Sequence, residues 1–270
     1  MPRRAASRGV TLVELLVSVT IGLALTLVIA QLFLNTRQTF ATTDDVSRMQ
    51  ENIRFSQQML IRTIHLAGYK SQPNSITANV FDAGNQAIQI TDFAGAQSDE
   101  LTIRYQGSGD GSSPANCATT SPFNCTGADG TILDCVGNRV DAKQMAVSTF
   151  TIRPGANGSN ALFCQVPGGN PVEMVSDVAF MRILLGEDTD GDLTTNRYVS
   201  AATAGLIPNN VLTVRIALLF QTPSKTSKAV PDPASSYKLN DVTLTGPPYT
   251  TDRRIRRAVT TTINLRNRTP

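Results

Sequence analysis

From Val10 to Ala30 the chain is an unbroken apolar run, VTLVELLVSVTIGLALTLVIA, with a single charge at Glu14. At about 1.5 Å per residue, these 21 positions cover roughly the 30 Å of a bilayer's hydrocarbon core. Past this run the apolar positions thin out to Val46, Met49, Ile53, Leu60 and Ile64, spaced 3, 4, 7 and 4 apart. That is one stripe of a 3.6-residue period. Asp44, Asp45, Arg48, Glu51, Arg54 and Arg62 fall on the wetter side. The pattern predicts one helix over 10–67, about 85 Å long. Its first half is apolar all round, for lipid or a bundle, and its second half is amphipathic, for packing beneath a domain. Gly68 is placed to stop it, and Pro73 confirms the end.

Beyond Gly68 the period shortens to alternation. Strands are predicted at 87–93, 100–106, 130–136, 146–153, 161–166, 178–185, 212–221 and 256–265, punctuated by Gly, Pro, Asn and Asp. Gly107–Thr126 and Pro223–Ser236 read as surface loops. The expected fold is therefore α+β: a long helix, membrane-embedded over its first half, packed on a β-rich domain in a lollipop shape. The expected division is a basic stretch 1–9, a helix 10–67 that spans the membrane over 10–30, and a globular domain 68–270.

Charge sharpens the N-terminal reading. Arg3, Arg4 and Arg8 precede the apolar run; without them the 24 Lys and Arg fall to 21, against 21 Asp and Glu. The body of the chain is then neutral, so nothing global calls for a polyanion. The basic flank predicts a cytoplasmic N-terminus with the remainder exported. An ordinary cleaved signal has a shorter apolar core, and a lipoprotein signal needs a cysteine that this stretch lacks. A plain anchor leaves Glu14 unexplained, because a carboxylate inside a bilayer costs about 2.5–3.5 kcal/mol.

Candidate chemistry is sparse. Aromatics are 6 %, Trp is absent and His65 is the single histidine, which argues against base-stacking platforms, His-rich zinc sites and His-based nucleophilic engines. His65 is expected at a surface or boundary. Cys117, Cys125, Cys135 and Cys164 form no C-x-x-C pair, and an even count in an exported chain points to disulfides. Of three pairings, Cys117–Cys125 with Cys135–Cys164 is preferred because its first loop is local. Asp188, Asp190 and Asp192 stand at positions 1, 3 and 5 of a calcium-type loop. Leu193 replaces the usual glycine, and Val199 the usual glutamate, with Glu187 as a substitute donor. The alternative is an acidic turn with Gly191 at positive φ. Arg253, Arg254, Arg256, Arg257, Arg266 and Arg268 crowd the tail; without interleaved aromatics they read as a charged edge strand rather than a phosphate stripe. Gly107-Ser108-Gly109-Asp110-Gly111 lacks the Lys-Ser/Thr ending of a phosphate loop and reads as a flexible loop. No acid–base pair or nucleophile motif is present, and no enzyme is expected.

The stretch Arg8-Gly9-Val10-Thr11-Leu12-Val13-Glu14-Leu15 resembles the signal of the type IV pilin superfamily: a basic leader ending in glycine, an apolar first mature residue and a glutamate at the fifth. The resemblance implies cutting between Gly9 and Val10 by the prepilin peptidase, N-methylation of Val10, and a docking role for Glu14. Thr36-Arg37-Gln38-Thr39-Phe40, Met49-Gln50-Glu51-Asn52-Ile53-Arg54-Phe55 and His65-Leu66-Ala67-Gly68-Tyr69 resemble the PilW family of minor pilins. So do the stretches around Cys135, Cys164, Gly186–Asp192 and the arginine-rich tail. This implies a subunit that helps prime type IV pilus assembly, and through it adhesion and twitching motility. Its implied partners are other minor pilins, the major pilin and a tip adhesin. Its implied place is the inner membrane, as a single span with the C-terminal domain periplasmic, and then the pilus on the cell surface. A type II secretion pseudopilin of the J class and a membrane-anchored DNA- or ligand-binding module are the alternatives.

Overall fold

The structure, a computed structural model, describes residues 10–71, 86–92, 97–113, 117, 125–223, 236–247, 249, 252 and 254–267. The basic stretch 1–9 with Gly9, the stop at Pro73, Arg253, Arg268 and most of the 223–236 loop lie outside them.

The chain divides into two units, Met1–Asp45 and Val46–Pro270. In the first unit, the helix α1 (Leu12–Leu66) begins on a Thr-x-x-Glu start. The Thr11 hydroxyl accepts the Glu14 backbone N–H at 3.3 Å, which closes a free donor of the first turn. The apolar side chains of this part are exposed all round, Leu12 at 76 % and Leu32 at 68 %. The helix is long and apolar enough to cross a membrane. Its few hydroxyls ask nothing of the surroundings, because Ser18, Thr20 and Thr26 donate back to the carbonyls of Glu14, Val17 and Leu23.

In the second unit, α1 buries Met49, Ser56, Leu60, Thr63 and Ile64, with Ala67 just past its end. The steps of 7, 4, 3, 1 and 3 describe one core-facing stripe. Ser56 and Thr63 belong to it despite their polarity, since each hydroxyl donates at 2.9 Å to a carbonyl of its own helix, of Ile53 and Met59. The periodicity of apolar residues alone passes over both. Gly68 ends the helix with φ of 75°.

All strand pairs are antiparallel. One sheet has the order β1 (Ile88–Thr91), β2 (Glu100–Gln106), β3 (Met145–Pro154), β4 (Asn160–Gln165), β5 (Val172–Val175). The second has the order β11 (Arg256–Asn264), β8 (Val211–Gln221), β6 (Val178–Glu187), β7 (Arg197–Val199), and β9 (Ser236–Leu239) pairs with β10 (Val242–Thr245) as a hairpin. The main core joins Leu60 and Ile64 to Ile103 and Phe150 of the first sheet and to Ile216 and Phe220 of the second. The other face of the second sheet packs Phe180 and Leu219 against Leu239 and Leu244 of the hairpin. With both faces covered, every residue of β6 is buried.

Three expectations are corrected. The predicted strand 130–136 is a chain of turns with one isolated bridge, Leu133 to Arg139. Its polar groups are satisfied locally: the Asp134 carboxylate accepts the N–H groups of Val136, Gly137 and Asn138. The short strands β5, β7, β9 and β10 were not anticipated, being three or four residues each. Finally, the described part of the 107–126 loop is not loose. Ser108, Ser113 and Asp141 are buried, Ser113 donates to Asp141 at 3.0 Å, and Tyr105 donates to the Leu133 carbonyl at 2.9 Å. Gly107 anchors this region by close approach, since a Cβ there would strike the carbonyl oxygens of Val140 and Asp141. Backbone cannot swing aside as a side chain does. Gly107→Ala is therefore expected to destabilise the protein by about 1–3 kcal/mol in urea unfolding; an unchanged midpoint contradicts that tight approach.

Candidate functional site

The residues singled out by sequence do not converge on one place, and each is set by its own element. Val10 and Glu14 lie at the start of α1. Glu14 is its third residue, and the Thr11 hydroxyl also donates to its carboxylate at 3.5 Å. No other ionisable residue occurs between Val10 and Asn35. Glu14 thus has a local partner of modest strength in an apolar rod, and no ion pair among the described residues.

Cys117 is bonded to Cys125 and Cys135 to Cys164, with Cα–Cα separations of 5.2 and 6.3 Å. Cys164 is on β4 and fully buried, while Cys135 sits in the 134–138 turn rather than at a strand end. The second bond therefore ties an irregular segment to the first sheet.

Asp188, Asp190 and Asp192 each place a carboxylate oxygen within 4.8 Å of the others. The loop's own donors already use these oxygens. Asp188 accepts the N–H groups of Gly191 at 2.7 Å and Leu193 at 2.9 Å; Asp192 accepts that of Thr194 at 2.8 Å. Hydrogen bonds from Gly191 and Leu193 hold the Asp188 carboxyl below its usual range although burial pushes the other way. Leu193 adopts φ of 67° where a calcium loop has glycine. Glu187 is no substitute donor: it is turned inward, bound to Arg197 at 2.7 Å and accepting the Ile207 N–H at 2.9 Å. The three carboxylates stand close enough to meet one cation, and the loop's own N–H groups already satisfy Asp188 and Asp192 as an acidic turn.

The described tail arginines differ in their surroundings. Arg256 pairs with Asp252 at 2.5 Å and its side chain is only 1 % exposed. Arg254 lies within 3.5 Å of Asp252 and 3.9 Å of Asp177. Arg257 near the start of β11 is exposed, and Arg266 follows the strand, also exposed. Two of the four described tail arginines are thus engaged inside the fold. His65 is a boundary residue, its pKa lowered by partial burial and by the Arg266 charge.

The cluster that sequence reasoning missed is centred on Arg182. It sits on β6 and reaches Asp99 at 2.9 Å, Asp92 at 2.5 Å and Asp241 at 2.8 Å. Those partners precede β2, follow β1 and lie in the β9–β10 turn, so one guanidinium joins both sheets and the hairpin. Burial pushes the Asp99 carboxyl up despite its bonds to Ile183 and Arg182. The Arg182 bond holds Asp241 low. Asp92 is also held low, burial being outweighed by Arg182 and by its bond to Ser200. A signal existed: a lone charge inside the apolar run Phe180-Met181-Arg182-Ile183-Leu184. With its donors engaged by carboxylates, this is a structural tie and not a reactive centre.

Residues 149–267 match the model of the type IV pilus-assembly protein W family, PilW. No curated protein matches the chain. Among solved structures, a type IV-like pilin from Thermus thermophilus is similar at 13 % identity, with 82 % of this chain and 99 % of that one covered and a TM-score of 0.42. The family match lies within the second unit and covers 119 of the 270 residues, and it supports a pilus-related pilin subunit.

Proposed function

We propose that this subunit is a minor pilin that helps to prime a type IV pilus, and so serves adhesion and twitching motility. The preprotein is held in the inner membrane by Val10–Ala30, with the C-terminal domain in the periplasm. The prepilin peptidase cuts after Gly9, Val10 is methylated, and the helix leaves the bilayer to join the other minor pilins, the major pilin and a tip adhesin. The observation that carries this reading is Glu14, the only ionisable residue of the apolar run Val10–Ala30, whose large apolar side chains are exposed. Cutting creates an ammonium at Val10. A neighbouring subunit's ammonium and the Glu14 carboxylate neutralise one another when their helices pack, which removes two charges from an apolar setting.

Thr11 offers a competing local role, since Glu14 also completes a helix cap. Glutamine preserves a capping box but not the charge, so Glu14→Gln separates the two. In a cell that otherwise assembles pili, Glu14→Gln is expected to abolish the subunit's recovery in sheared filaments while leaving its level in membranes unchanged. Filament recovery equal to wild type overturns the docking role. Intact mass of membrane-purified protein is expected to show loss of residues 1–9 and gain of one methyl; an uncut N-terminus overturns the pilin reading altogether.

A further inference from the structure

β11 forms one edge of the second sheet, and its register against β8 is regular over nine residues with no bulge. Two bonds fix the phase of that pairing: the Leu265 N–H donates to the Leu212 carbonyl, and the Thr222 N–H to the Ile255 carbonyl. In an antiparallel ladder successive residues turn their backbone groups to alternate sides. The odd-numbered residues of β11 therefore face β8. The N–H and C=O groups of Ala258, Thr260, Thr262 and Asn264 face outward, and those four residues are exposed. No backbone partner covers them among the described residues.

Edges of this kind are ordinarily blunted by charge, proline, a bulge or shortness. The other sheet edges follow that rule: β7 has three residues, β1 four, and β5 four with a register shift in its pairing. β11 does not. From Ala258 to Asn264 it carries no charge and no proline. Its exposed charges stand outside that stretch, Arg257 at one end and Arg266 at the other, about 30 Å apart along an extended chain. Neither makes an ion pair among the described residues.

We infer that β11 is a docking edge that receives an extended segment of another polypeptide by strand addition: about seven uncharged, β-branched residues flanked by carboxylates that meet Arg257 and Arg266. Backbone bonds to the four outward residues hold the segment, and the two arginines select acidic ends. The Thr261 side chain is engaged by Gln57 of α1, so the strand is fixed before the partner arrives. The inference uses no residue of the Glu14 docking role, so its failure would leave the assembly reading standing.

The test uses the full chain in detergent and a synthetic peptide of alternating Thr and Val capped by glutamate at each end. Saturable binding is expected, with slowed hydrogen exchange at the amides of Ala258, Thr260, Thr262 and Asn264. A lysine-capped peptide is expected to bind at least tenfold more weakly. Thr260→Pro removes an outward N–H that β8 does not use and is expected to abolish binding. Should that variant not fold, Arg257→Glu with Arg266→Glu is expected to reverse the preference between the two peptides. Absence of binding, protection at other amides, or no preference between the peptides overturns the inference. Protection of the same amides by rising protein concentration alone would mean that two copies pair there, and overturns the acidic partner.

Discussion

Replacing Arg182 by methionine is expected to cost the fold about 3–5 kcal/mol and to change its response to mild acid. The substitution keeps a long apolar stem of similar reach but leaves three carboxylates without their common cation. Asp99 is fully buried and Asp92 nearly so, with side chains 0 % and 11 % exposed, while Asp241 is 42 % exposed. The damage should therefore come mainly from Asp99 and Asp92, which cannot turn to water. In the native protein Asp92 and Asp241 are held below the usual carboxylate range. The unfolded chain then binds more protons than the fold as the pH drops below about 4. Their contribution is complete above that range and is lost beneath it. Asp99 has the opposite sign: its raised folded value means that the fold takes its proton first, so its share weakens as the pH rises through that value. Without the guanidinium, burial acts on Asp92 and Asp99 against only the Ser200 and Ile183 hydrogen bonds. Lowering the pH from 7 to 5 should then restore part of the lost stability in the variant and leave the native protein little changed. Urea midpoints of the full chain in detergent at both pH values measure this. A loss below about 1 kcal/mol, or parallel behaviour of the two proteins, contradicts the tie.

The second large effect is expected at the Cys135–Cys164 bond. Its sequence separation is 29, against 8 for Cys117–Cys125. Loop-closure entropy then assigns about 3.5 kcal/mol to the longer loop and about 2.5 kcal/mol to the shorter. The longer bond also holds the 134–138 turn, which has no strand partner, against β4, and Cys164 belongs to the main core. Cys135→Ala with Cys164→Ala is thus expected to lower stability clearly more than Cys117→Ala with Cys125→Ala in the same denaturation experiment. The reverse order would mean that the Cys117–Cys125 loop, with the buried serine network beside it, carries the greater part.

How much of this was legible beforehand depends on the range of the interactions. β2 coincides with the predicted 100–106, and most other long strands fall within a residue or two of expectation, because apolar alternation is a local property. The 130–136 stretch failed because Ile132, Leu133 and Val136 imitate a strand, while Asp134 satisfies the backbone in a turn. The acidic loop was recognised as a place, but that Glu187 points away from it depends on Arg197 and Ile207, which only the folded chain brings near.

The chain's own order of residues determined that a membrane-length apolar helix begins near Val10, carries Glu14 at its fifth position and stops at Gly68, and that β structure follows. Each of these rests on neighbours within a turn or a strand. The tertiary structure decided which polar groups are inside. Arg182 finds its three carboxylates 59, 83 and 90 residues away. Ser56 and Thr63 face the core, and Arg256 is neutralised while Arg257 is left outside. Neutralising a charge in a low-dielectric interior requires a partner at about 3 Å, and distance in space is set by packing of the whole domain, not by spacing along the chain.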